Sequence, residues 1–104
     1  MRYVLPIIGV ISALMTQHAS AAGHMASAKR GQEIYAKNCA SCHRKEDPKL
    51  GDKAAWKPLI DQGLEALVVA VIKGKGKMPA HGGKPRLPHP DIEAAVDYMI
   101  SQSR

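Results

Sequence analysis

With 104 residues the chain has room for one domain, and its two cysteines are too few for a multi-disulfide scaffold. Fifteen Lys or Arg against nine Asp or Glu give a formal charge of +6, a balance that suits acidic partners or anionic surfaces. One tryptophan, three tyrosines and no phenylalanine leave few platforms for base stacking, which argues against a nucleic-acid partner.

The chain opens with the basic pair Met1-Arg2, an apolar run from Tyr3 to Met15, a polar stretch Thr16 to His18 and the small residues Ala19-Ser20-Ala21. That is the layout of a secretory signal, with cleavage expected after Ala21. The 13 apolar-run positions fall short of the roughly 20 needed to span a bilayer, so removal is favoured over anchoring. Residues 22–104 would then form a single periplasmic domain of 83 residues, with 14 basic against 9 acidic side chains and a formal charge of +5. At that size a hydrophobic core alone is marginal. Cys39 and Cys42 cannot supply a disulfide framework, so a cofactor that doubles as core is the favoured supplement. Gly23-His24-Met25 resembles a cloning junction and carries no weight for the fold or the site.

Ser27 is placed to cap a first helix from Ala28, with Gly31, Ile34 and Tyr35 on one face before Cys39. Arg44 to Gly51 is polar, contains Pro48 and Gly51, and reads as loop. Asp52 can cap a short helix that Pro58 should make irregular, because proline removes a backbone donor. After Gly63 the residues Leu64, Leu67, Val68, Val71 and Ile72 recur at helical spacing, and Gly74 is placed to stop that helix. Four glycines and four prolines make Gly74 to Pro90 a loop, long enough to imply a role. Ile92, Ala95, Val96, Met99 and Ile100 mark the last helix, with Asp91 and Glu93 near its positive end. No strand of convincing alternation is present, so the fold is expected to be all-α.

The segment that carries chemistry is Cys39-Ala40-Ser41-Cys42-His43, because C-x-x-C-H is the attachment pattern of c-type haem. Two thiols two residues apart at a helix end can reach both vinyl groups of one porphyrin, and the next residue presents its imidazole to the iron. A thioredoxin-like dithiol would need a strand leading into the motif, and a zinc site would need a second ligand pair; the sequence has neither. The reading is therefore one covalently attached haem c per chain, with His43 as metal ligand.

The sixth iron position asks for a second donor, and methionine is the usual companion of histidine. Met1 and Met15 lie in the leader, Met25 in the suspected junction, and Met99 on the apolar stripe of the last helix. Met78 remains, in the loop Gly74-Lys75-Gly76-Lys77-Met78-Pro79, where Pro79 can stiffen the turn that presents its sulfur. His81 and His89 are the alternative donors.

Around the motif stand Gly31 with Tyr35, Pro48-Lys49-Leu50-Gly51-Asp52-Lys53-Ala54-Ala55-Trp56, Gly63-Leu64, Met78-Pro79, Gly82-Gly83 and Tyr98-Met99. In these the chain resembles the class I bacterial cytochromes c of the small cytochrome c-five type, over nearly all of Ala28 to Ser103. The resemblance implies a class I cytochrome c fold, several helices wrapped around one covalently bound haem, with first and last helices crossing near Gly31 and Tyr98. It also implies that Pro48 and Leu50 pack on the proximal haem face and that the Trp56 indole N–H donates to a haem propionate, plain core packing being the other reading of Trp56. Pro88-His89-Pro90 departs from the serine cap and acidic residues more usual at the start of the last helix.

Filled axial positions leave the iron one-electron exchange, so the chain reads as an electron carrier and not an enzyme. Two rivals stand beside it: a haem subunit bound permanently to a periplasmic oxidoreductase, and a peroxidase or sensor with a displaceable sixth ligand. Lys73, Lys75, Lys77, Lys84 and Arg86 crowd the sequence around Met78 and are expected to meet acidic redox proteins, membrane electron-transfer complexes or an anionic membrane surface.

Overall fold

The computed structural model describes residues 2–4, 9 and 18–104; most of the leader expected over residues 1–21, and most of its apolar run, lies outside them. The described residues form five α-helices and no β-strand: α1 (His18–Asn38), α2 (Ala40–His43), α3 (Lys53–Ile60), α4 (Leu64–Lys73) and α5 (His89–Gln102). A 3₁₀ turn, Ala80–Gly83, interrupts the long connection between α4 and α5. No described helix is long and apolar enough to cross a membrane.

The framework is the pair α1 and α5, with α4 packed on α5. Glycine makes the first crossing possible. A Cβ built on Gly31 would stand 2.9 Å from the Ala94 carbonyl carbon and 3.0 Å from Tyr98 Cβ, closer than side-chain atoms tolerate. Tyr98 therefore does lie at the crossing, its ring centroid 5.5 Å from that of Tyr35. Arg30 on α1 forms an ion pair with Asp91 in the first turn of α5, its Nε donating at 3.2 Å. That side chain steadies a helix start with no side-chain cap, where Asp91 and Ile92 donate their backbone N–H groups to the Pro88 carbonyl.

The α5 stripe is buried at every predicted position, Ile92, Ala95, Val96, Met99 and Ile100 each at 5 % exposure or less. Met99 is thus core, as periodicity implies. Leu67 and Val68 of α4 are buried against it, while Leu64, Val71 and Ile72 remain half-buried on the same helix. Gly63 and Gly74 bound α4 with φ of +93° and +82°, values that favour residues without Cβ.

Two expected boundaries are corrected. Ser27 does not cap α1 but lies inside it, because alanine-rich sequence upstream carries the helix back to His18. Pro58 does not make α3 irregular: the helix runs unbroken from Lys53 to Ile60, capped by Asp52, whose carboxylate accepts from the Ala55 N–H at 3.2 Å. The donor lost at Pro58 would have served the Ala54 carbonyl, and both residues are exposed, so water can take its place.

Candidate haem site

The motif cysteines lie at a bend between two helices. Cys39 precedes the single turn of α2 and is half-buried, whereas Cys42 on that turn is exposed; both are free thiols. Burial pushes the Cys39 thiol above its ordinary range, with Cys42 adding to the rise. A redox-active dithiol does the reverse, lowering the pKa of its first cysteine to make a thiolate.

His43 closes α2 and is held from two sides. Its Nδ1 donates to the Pro48 carbonyl at 2.9 Å, which fixes the tautomer and leaves the Nε2 lone pair for a metal. Its backbone carbonyl accepts from the Leu50 N–H at 3.0 Å. The Trp56 ring lies beside the imidazole, centroids 6.4 Å apart. Cys39, Cys42, His43, Pro48, Leu50 and Trp56 thereby belong to one neighbourhood, built from α2, the loop after it and α3.

The Trp56 indole N–H donates to the Lys49 carbonyl at 2.8 Å, and the side chain, 4 % exposed, packs in the core.

Met78 belongs to a separate element. Lys75 and Met78 exchange backbone hydrogen bonds, 2.9 Å each way, around a two-residue turn in which Gly76 has φ +59°. The half-buried Met78 side chain lies near Gly82, whose added Cβ would be 3.8 Å from the Met78 methyl carbon. Gly74 cannot carry a side chain: a Cβ there would fall 2.8 Å from the Ala80 nitrogen. Of the alternative donors, His81 has left-handed backbone (φ +56°) and places Nδ1 3.4 Å from the Leu87 carbonyl, while His89 is exposed in the first turn of α5.

The donor set fits haem c: two unpaired thiols at C-x-x-C spacing, an imidazole with a fixed tautomer, and a thioether on a rigid turn. Leu50, Leu59, Ile60, Leu64, Val71 and Ile72 pack against the core yet stay half-buried, an apolar surface of the kind a porphyrin covers. A groove of about 410 Å³ is lined by Asn38, the residue before Cys39 in the chain, and by Gly83–Pro88, Lys84 and Arg86 among them. The sequence reading missed Ser103, which is buried and accepts from the Gly51 N–H at 2.9 Å. A signal for it existed, because Ser103 continues the stripe of Val96, Met99 and Ile100.

A family described as cytochrome C oxidase, cbb3-type, subunit III matches residues 26–99. Cytochrome c-555 of Chlorobaculum thiosulfatiphilum is 44 % identical over 84 residues, 74 % of this chain and 98 % of that protein. Cytochrome c6 of Porphyra purpurea is 37 % identical over 78 residues, 70 % of this chain and 69 % of that one. A chain in the crystal structure of an electron transfer complex of nitrite reductase with cytochrome c superposes with a TM-score of 0.69 at 42 % identity, covering 72 % of this chain and 95 % of that one. Helical fold, attachment motif and relatives agree: the chain belongs to the small class I cytochromes c, monohaem proteins that carry covalent haem c and transfer single electrons.

Proposed function

We propose that Cys39 and Cys42 hold the haem through thioether bonds, that His43 Nε2 and Met78 Sδ are its axial donors, and that Leu50 and Trp56 complete its proximal wall. The observation that carries this reading is the 2.9 Å bond from His43 Nδ1 to the Pro48 carbonyl, which orients the ring and raises its basicity as a ligand. When bound, haem c supplies a one-electron Fe(III)/Fe(II) couple. The chain's own residues do the rest. Pro48 holds the imidazole proton at Nδ1, Gly74 and Gly76 allow the tight turn that presents Met78, and the half-buried aliphatic side chains keep water from the ring. With His43 and Met78 as its donors, the iron would keep no open position for oxygen or a substrate, which supports a carrier over an enzyme.

The protein acts outside the cytoplasm, in the periplasm, after removal of residues 1–21, a reading supported by the signal-like sequence. Its partners are acidic: Lys84 and Arg86 line the groove they share with Asn38, and Lys73, Lys75 and Lys77 surround the Met78 turn. One observation favours a second reading, a subunit held permanently by a membrane complex, namely the family match over residues 26–99. Native mass of the protein drawn from its own membranes separates the two. Thioether attachment is tested by acidified organic solvent: the colour is expected to stay with the polypeptide, and haem that extracts freely would refute it.

A further inference from the structure

Residues just past a helix end ordinarily fray. Ser103, the residue after α5, does not: it is 1 % exposed, and its Oγ accepts the Gly51 N–H across 52 positions of sequence. Its own backbone N–H donates to the Ile100 carbonyl at 3.0 Å, so the hydroxyl is held from the α5 side as well. Gly51 forms the corner of the loop Pro48–Gly51 with φ +86°, where few side chains are tolerated.

That loop supplies two partners of His43: the Pro48 carbonyl accepts from Nδ1, and the Leu50 N–H donates to the His43 backbone carbonyl. Two outside groups fix it: the Trp56 indole on the Lys49 carbonyl, and Ser103 on Gly51. Without the hydroxyl the Gly51 N–H loses its partner and the loop loses its tie to the end of α5, so the exposed Gly51 corner is free to turn toward water. Motion there lengthens the Nδ1–H···O=C bond, which governs how strongly the imidazole donates to a metal.

We propose that Ser103 is a positioning residue for the His43 imidazole, acting through the loop Pro48–Gly51; this rests on His43 being an iron ligand. A polar residue beyond the last helix thereby helps set the electron affinity of a site to which it contributes no ligand.

The test uses the holoprotein and the variants Ser103→Ala, Ser103→Thr and Ser103→Cys. Ser103→Ala is expected to speed amide exchange at Gly51 by about tenfold or more. It should also speed exchange of the His43 Nδ1 proton, and shift the balance against a fixed redox mediator by about threefold toward the reduced form, since a weaker donor stabilises Fe(III) less. Ser103→Thr, which keeps the hydroxyl, should restore all three. Should the alanine variant not fold, Ser103→Cys, a weak acceptor of similar size, should move each readout the same way by less. Faster Gly51 exchange with an unmoved His43 proton and an unmoved balance would overturn the proposal, reducing Ser103 to a staple of the fold. Wild-type protein whose His43 ring lacks the NMR shifts of an iron-bound imidazole would overturn the ligation reading, and this proposal with it.

Discussion

The two segments that carry the proposed iron donors, His43 and Met78, are built in opposite ways. The Pro48–Gly51 loop beside His43 is fastened by groups of other elements, Trp56 of α3 and the distant Ser103 beyond α5, besides its bonds to His43 itself. The Met78 segment is fastened by its neighbours: the paired Lys75 and Met78 backbone bonds, and a bond from the Gly82 N–H to the Pro79 carbonyl at 3.0 Å. One side inherits its geometry from the whole fold, the other from local turn conformation at Gly74, Gly76 and Gly82. Damage to the first should therefore cost stability, and damage to the second should cost ligation while sparing the fold.

The largest effect is expected on the histidine side. Trp56→Ala removes a buried ring beside the imidazole and the donor to Lys49, so it should lower stability by about 3–5 kcal/mol, read from denaturant unfolding. A loss below about 1 kcal/mol would mean that the loop does not depend on α3. Gly74→Ala comes next. Positive φ alone costs about 1–2 kcal/mol, and the new Cβ would meet the Ala80 nitrogen, so the Met78 turn should shift. The reduced variant should then bind carbon monoxide, with far-UV circular dichroism unchanged; loss of helix instead would erase the contrast between the two segments. The smallest structural effect belongs to Lys75→Gln with Lys77→Gln, which leaves both scaffolds alone. Electrostatic steering is worth roughly ten- to a thousandfold in association rate, so electron transfer to an acidic partner should slow several-fold at low salt, and its salt dependence should flatten. A rate indifferent to salt and to both substitutions would leave these lysines as solubilising surface.

The same contrast explains what the sequence disclosed. α4 and α5 were legible because Leu67, Val68, Ile92, Val96 and Ile100 repeat at the helical period, and burial follows period wherever one face meets a core. The Asp52 cap and the glycine boundaries of α4 were legible for an equally local reason. C-x-x-C-H disclosed the cofactor because attachment and ligation are confined to five residues. What could not be read was long-range and made by the backbone. Every residue has a carbonyl, so nothing marks Lys49 as the acceptor for Trp56. Ser103 continues the α5 stripe, but its partner, 52 positions away, is not marked in the sequence. The early start of α1 escaped notice since a plausible cap, Ser27, stands within a sequence that alanine keeps helical.

Methionine and histidine ligation is the central claim, and the oxidised spectrum tests it most directly. The wild-type protein should show the weak long-wavelength charge-transfer band of sulfur bound to ferric haem. Met78→Ala should abolish that band and lower the reduction potential while the haem stays attached to the polypeptide. A band that survives the substitution, or one absent from the wild type, would contradict the account and move the sixth ligand to His81 or another side chain.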